Sequence, residues 1–321
     1  HVIFPMPEKT TRSIWASAKH VLEYAALRTL AQLLRMMGID TASGLMGWIW
    51  QKIGPRTARQ QRVTGNLRLA FPEMRDEELA EIARLQWNNL GRTFAESFMI
   101  DRFIDEPGRM EFNHDDMAER IAKSGKGFVL VSLHTANWEV ICIPVAERLE
   151  ITGLYQKLSN ARADRYVREM REMVYRGGLL PKSVSTPRTV MKTVRAGNGV
   201  AMLADQREKK GVEVKFFGQT TRANPFPAMI ARRLDVPLIA GRTIRLSGAR
   251  FRVEAQELPV PRTDDMNADI QAAAEAIQNR FEAWIREYPG QWMWVHDRWR
   301  PGRPRRQRSI QALDKSNPNA N

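Results

Sequence analysis

Two of the five histidines, His114 and His134, are each followed five positions later by a glutamate, Glu119 and Glu139. A neutral imidazole titrates near pH ~6.5 and can take a proton from a hydroxyl at neutral pH. A carboxylate on its other ring nitrogen fixes the tautomer and stabilises the imidazolium that forms. Such a pair activates a substrate hydroxyl directly and needs no serine or cysteine nucleophile. Spacing does not separate the two pairs, but context does. His114 stands in Asn113-His114-Asp115-Asp116, a helix-start composition with no apolar strand leading into it, and reads as a capping or surface residue. His134 directly follows the apolar run Gly127 to Leu133, which has the length of a buried strand. It therefore stands at the carboxyl end of a parallel strand, where open α/β sheets place ligands. Glu139 falls in the first turns of the next helix, close enough for its carboxylate to return to the ring. A strand-end histidine satisfied by its surroundings is the alternative reading of the same residues.

The elements that must hold this pair follow from periodicity. Residues 11–52 read as one or two helices, residues 56–70 as a basic helix ending at Phe71-Pro72, and the segment from Asp76 to about Met99 as a helix with an acidic first turn. After the 127–133 strand, a helix is expected from about Asn137 to Leu149, a strand at Ile151 to Tyr155 and a basic helix from Asp164 to Tyr175. Strands are expected at Val200 to Ala204, Val212 to Phe217, Val236 to Ile244 and Phe251 to Glu257. Helices are expected at Asn224 to Leu234 and Met266 to Tyr288. Alternating strands and helices predict an α/β fold with a mostly parallel central sheet flanked by helices. The expected organisation is an N-terminal amphipathic, membrane-associating helical segment over 1–55, a catalytic domain over 56–302 and a basic flexible tail over 303–321.

Composition narrows the partners. Lys and Arg total 50 against 36 Asp and Glu, a net charge of +14. The surplus needs an acidic counterpart: nucleic acid, an anionic membrane surface, or an acidic protein or substrate. No RNA-recognition, zinc-finger or helix-turn-helix signature accompanies the charge, which argues against nucleic acid. The single cysteine, Cys142, excludes an internal disulfide framework and a multi-cysteine zinc site, and no metal is expected. Between Val21 and Trp50, the charges Glu23, Arg28, Arg35 and Asp40 interrupt every window of about 18 apolar residues, so an ordinary membrane span is not expected. Apolar residues at helical spacing, followed by Trp48 and Trp50, suit either an interfacial helix or packing on the protein's own core.

The stretch Ser132-Leu133-His134-Thr135-Ala136-Asn137-Trp138-Glu139, following an apolar strand, resembles the signature of the lysophospholipid-acyltransferase-like superfamily. It is most similar to the late lauroyl/myristoyl acyltransferases of lipid A biosynthesis. Further stretches resemble that branch in collinear order: Asn66 to Glu73, Ala204-Asp205-Gln206, Phe216-Phe217-Gly218 with Thr220 and Thr221, and Gln291 to Trp299. The resemblance implies a glycerolphosphate-acyltransferase-like fold on the cytoplasmic face of the bacterial inner membrane. It implies transfer of a fatty acyl chain from acyl carrier protein or acyl-CoA to a hydroxyl of a lipid A precursor, without a cofactor. His134 would be the general base and Glu139 the residue that orients it. Asn137, Lys157, Asn160, Asp164, Asp205 and Arg207 would bind substrate, with backbone N–H groups of the following helix as oxyanion donors. Asp205 points to the same sheet edge as His134, and a helix or turn cap is its alternative role. Phe216, Phe217, Phe226 and Trp292 would either line an acyl groove or belong to the core. The cluster Arg165, Arg168, Arg171 and Arg176, the group Arg207, Lys209 and Lys210, the pair Arg232 and Arg233, and the run from Arg303 to Arg308 would meet the acidic donor protein and the membrane. One departure stands out: the family usually has arginine after the tyrosine of the second strand, and here Tyr155 is followed by Gln156. That opens the alternative of another membrane acceptor, such as a glycerophospholipid, ornithine lipid or glycolipid.

Overall fold

The computed structural model describes residues 8–299, with side-chain environments from residue 18 onward. The segments 1–7 and 300–321 lie outside the described residues, including the expected basic tail and its arginines Arg303 to Arg308. Five helices lead the chain: α1 (Glu8–Met36), α2 (Ile39–Ile53), α3 (Arg59–Ala70), α4 (Asp76–Glu96) and α5 (Ile100–Asp105). Gly38, at φ 76°, breaks the expected 11–52 helix in two. Next come β1 (Met110–Phe112), α6 (Asp115–Ser124), β2 (Phe128–Ser132), β3 (Ile151–Tyr155), α7 (Ala161–Glu172), β4 (Leu179–Pro181), α8 (Thr186–Arg195) and β5 (Gly199–Leu203). The chain continues through β6 (Val212–Phe216), β7 (Gln219–Ala223), α9 (Phe226–Leu234), β8 (Leu238–Ser247), β9 (Arg250–Leu258) and α10 (Met266–Glu287).

The main sheet has the order β1-β9-β8-β2-β5-β3-β4. Strands β8, β2, β5, β3 and β4 run in parallel, and β9 turns back antiparallel on β8. This is the mixed, mostly parallel sheet expected from the alternation of elements. The strand expected at Val212 to Phe217 does form, but it pairs only with β7 as a separate antiparallel hairpin. Central strand β2 is buried along its whole length, because helices cover both faces of a parallel sheet.

The largest difference from expectation lies after β2. No helix spans Asn137 to Leu149; the segment makes two short 3₁₀ turns, Trp138–Val140 and Ile143–Val145. Ala136 takes a left-handed φ of 46° and reverses the chain, and Pro144 removes the N–H that a continuing helix needs.

The N-terminal helices pack on the body of the protein. Ala31, Leu34, Ile39, Ala42 and Met46 are buried with Ala95, Phe98 and Phe251 in one apolar cluster. Arg35 grips Asp101 through two nitrogens at 2.8 and 2.7 Å. Outside that cluster, Leu22, Leu33, Met36, Trp48 and Ile53 remain exposed. Among the described residues, no helix is long and apolar enough to cross a membrane.

Candidate active site

Strands β2 and β5 lie side by side with Ser132 opposite Leu203. Continuing each chain two residues past that pair brings His134 beside Asp205. The imidazole Nδ1 lies 2.8 Å from Asp205 Oδ1, and the His134 backbone N–H donates to Oδ2 at 2.8 Å. The Trp292 indole N–H donates to the same Oδ2 at 2.8 Å. Burial alone would raise the Asp205 carboxyl. The positive charge and hydrogen bonds of His134 outweigh it and hold the group well below the usual carboxylate range. An ionised Asp205 accepts the Nδ1 proton, which leaves the Nε2 lone pair of His134 as an acceptor facing away from the carboxylate.

The loop carrying His134 is clamped from two sides. The His134 carbonyl accepts from Met293 N at 3.0 Å, and Ala136 N donates to the Gln291 carbonyl at 3.0 Å. From α4, Thr93 Oγ1 and Asn89 Nδ2 donate to the Ala136 carbonyl at 2.7 and 3.1 Å. These bonds hold the strained Ala136 turn, and with it the direction of the imidazole. Beyond the imidazole lies the Gln206 side-chain amide, 3.4 Å from His134 Nε2 and 3.0 Å from His296 Nε2. The two imidazole centroids are 4.9 Å apart. Burial, and then the charge of His134, lower His296 to about 4, with Asp205 opposing them. His296 is therefore neutral at physiological pH.

Glu139 departs from its expected role. Its carboxylate is held by Arg171, whose Nε donates at 2.7 Å, and it accepts the Trp138 indole N–H at 3.1 Å. The imidazole partner is Asp205, an acid from the neighbouring strand, instead of the acid five residues along. Once the chain makes 3₁₀ turns after Ala136, the helical return from Glu139 to His134 no longer exists. Arg171, expected in a docking cluster, is turned inward for the same reason.

His134, Glu139 and Arg171 stand on one cleft of about 480 Å³. Its mouth is polar, with Gln156, Lys182, Gln206, Arg207 and Asn224, and its depth is apolar, with Leu130, Ile141, Leu154, Leu179 and Met202. An imidazole beside polar and apolar lining in one cleft suits a ligand with a polar head and a hydrocarbon body.

Comparison with known proteins gives this geometry its context. The sequence profile of the family described as "bacterial lipid A biosynthesis acyltransferase" matches residues 16–301. The chain belongs to that family. Relatives include a phosphatidylinositol mannoside acyltransferase of Mycolicibacterium smegmatis, 25% identical over 291 residues, which cover 84% of this chain and 88% of the relative. A phosphatidylinositol mannoside acyltransferase of Mycobacterium tuberculosis is 27% identical over 197 residues, 57% of this chain and 58% of that protein. The chain is thus an acyltransferase by family, and its site can be compared with what the family resemblance implied.

Of the residues expected to bind substrate in this acyltransferase, Arg207 lies on the cleft and Asp205 holds the His134 imidazole. Asn137 is fully buried. It accepts from Glu139 N and donates to Glu96 at 3.1 Å, bracing the turn and leaving no atom for substrate. Asn160 caps α7 and donates to the His20 carbonyl of α1 at 2.8 Å. Asp164 accepts from Leu158 N at 2.8 Å and from the Tyr155 hydroxyl. Both shape the loop that presents Gln156 and Leu158 to the cleft, while Lys157 is exposed on the same loop. Of the N–H groups around the expected helix start, three are committed elsewhere: Thr135 N to Leu133, Ala136 N to Gln291 and Glu139 N to Asn137. Phe216, Phe217 and Trp292 belong to the main core, with Phe226 packed against it. The apolar wall of the cleft includes Leu130 of β2, Leu154 of β3, Leu179 of β4 and Met202 of β5, with Ile141 and Trp138 from the segment after β2. Sequence reasoning missed His296 as part of the site and offered Trp292 only as groove or core, without its hydrogen bond to Asp205. Their signal was present in the Gln291 to Trp299 block, whose position against His134 only the fold reveals.

Proposed function

We propose that this acyltransferase moves a fatty acyl chain from an acyl carrier protein or coenzyme A thioester to a hydroxyl of a phosphate-bearing glycolipid, with a lipid A precursor as the first acceptor to test. The observation that carries the reading is the Asp205–His134 pair opening onto a cleft that is polar at its mouth and apolar in its depth. In this mechanism His134 Nε2 takes the proton of the acceptor hydroxyl, and the freed oxygen attacks the thioester carbonyl. The C–S bond then breaks, and the imidazolium returns its proton to the departing thiolate. Asp205 stays ionised and stabilises the imidazolium between the two transfers. The Gln206 amide, at 3.4 Å from Nε2, makes only a long contact with the imidazole. The acceptor hydroxyl takes its place on the base, and the amide N–H is then free to face the developing oxyanion. Arg207 and Lys182 at the mouth suit the phosphate of an acceptor or of a coenzyme A donor.

A second acceptor, a mannosylated or other glycolipid, is favoured by Gln156 at the family's usual arginine position and by the names of the two relatives. The exposed stripe Leu22, Leu33 and Met36 on one face of α1, with Trp48 on α2, supports attachment to the cytoplasmic face of the inner membrane. Mass spectrometry of lipids from cells with and without the protein tests the whole reading. The expected result is loss of one acyl mass from one glycolipid in the deleted strain, restored by the wild-type chain and not by His134→Ala. An unchanged lipid profile would overturn it.

A further inference from the structure

The cleft is closed at its deep end by Leu130 and Ile141, both buried side chains, and the far side of the same two residues lines a second, apolar cavity of about 40 Å³. That cavity lies beneath α6, against Ile121, Val145, Ile239 and Val253. Gly241 of β8 lines it too. A Cβ placed there would lie 3.1 Å from both Leu130 Cδ1 and Ile141 Cδ1, so the tips of the two side chains meet over a position that carries no side chain. At its rim stand His114 and Glu254, where hydrocarbon would lose its burial.

We propose that Leu130 and Ile141 form the partition that sets the longest acyl chain this protein accepts, and that the cavity behind them continues the acyl-binding site when the partition is cut back. The proposal rests on the acyl-transfer reading above. Leu130 lies in β2 four residues before His134, which stands at a bend just past the strand end, so the partition is at most roughly 13 Å from the base at the usual strand rise. A chain whose carbonyl meets His134 and whose tail follows β2 therefore ends against these two side chains. Tail atoms beyond the partition would need space, and the apolar cavity behind Leu130 and Ile141 offers it. Among the described residues, the cavity and the cleft share only this pair.

The test is a transfer assay with a graded series of saturated acyl thioesters, giving relative kcat/KM against chain length. Leu130→Ala should lengthen the preferred chain by about two methylenes, at about fourfold for each methylene newly buried. Filling the cavity from behind, in Leu130→Ala with Ala118→Leu, should return the preference to the wild-type length. A cleft that had merely become wider would keep the longer preference. Gly241→Ala should push the partition into the cleft and shorten the preferred chain. If Leu130→Ala does not fold, Leu130→Val makes the smaller cut, with a shift of the same sign. A wild-type profile in the folded Leu130 and Gly241 variants overturns the partition while leaving acyl transfer standing. No transfer from any donor by the wild-type protein overturns both.

Discussion

Asp205 Oδ1 lies 2.8 Å from His134 Nδ1, although the two residues are 71 positions apart in the chain. The contact follows from the in-register pairing of two parallel strands, Ser132 opposite Leu203, with each functional residue two positions beyond that pair. In the proposed mechanism it makes Asp205 the orienting acid, while Glu139 pairs with Arg171.

The first expectation concerns that assignment. Asp205→Asn preserves size and burial but no longer holds the Nδ1 proton as a carboxylate does. It should lower kcat by about 100- to 10,000-fold with little change in KM. His134→Ala should fall in the same range, and the double variant should be no worse than the poorer single, because the two side chains act as a unit. Near-normal turnover in Asp205→Asn would remove its orienting role.

Glu139→Gln separates the two acids. The Glu139–Arg171 pair is mostly buried, with side-chain exposures of 8% and 25%. Removing one charge should cost about 2 kcal/mol of stability, less than for a fully buried pair because Arg171 keeps some water. Turnover per folded molecule should fall less than in Asp205→Asn. Replacing Arg171 by Met in the same chain should recover part of the lost stability in denaturant unfolding. A kcat loss as deep as that of Asp205→Asn, with unchanged stability, would return Glu139 to the imidazole.

His296 predicts a pH dependence. Burial is the main cause that lowers it from 6.5 to about 4, with the charge of His134 second. Between those two values the unfolded chain binds a proton that the folded chain refuses, so stability rises with pH through the window and is lost as the pH falls from 6.5 toward 4. His296→Gln cannot titrate. Thermal unfolding measured across this window should therefore show a shallower slope for the variant than for the wild type, and equal slopes would contradict the buried neutral imidazole.

Charge and exposed apolar side chains should act together at a membrane. The net charge of +14 favours anionic vesicles, and salt should weaken that binding as the screening length falls from about 10 Å at 0.1 M to about 3 Å at 1 M. Trp48 is 58% exposed, and Trp48→Ser should reduce cosedimentation with anionic vesicles without lowering the unfolding temperature. Binding indifferent to both salt and Trp48 would detach the N-terminal helices from membrane attachment.

Much of the fold was legible because its signals are local. The apolar run before His134 gave β2, period-two and continuous apolar runs gave β3, β5, β8 and β9, and the alternation with helices gave the parallel sheet. The placement of His134 at a strand end was legible for the same reason. The helix expected after it was not, since the left-handed turn at Ala136 is imposed by Asn89, Thr93 and Gln291, which come from distant parts of the chain. The strand at Val212 to Phe217 was legible too, but its partner β7 was not, and the sequence did not show that the two form a hairpin apart from the main sheet.

The sequence by itself determined which side chains could do the chemistry: an imidazole at a strand end, acids at the same sheet edge, and a positive surface. Tertiary structure alone decided which acid serves the imidazole, because hydrogen bonding depends on spatial approach and the strand register brings Asp205 to His134 while Arg171 draws Glu139 away. It also decided which apolar residues face the cleft. Phe216 and Trp292 are as apolar as Leu130 and Ile141, but the fold packs the first pair into the main core and places the second, also buried, on the wall of the cleft.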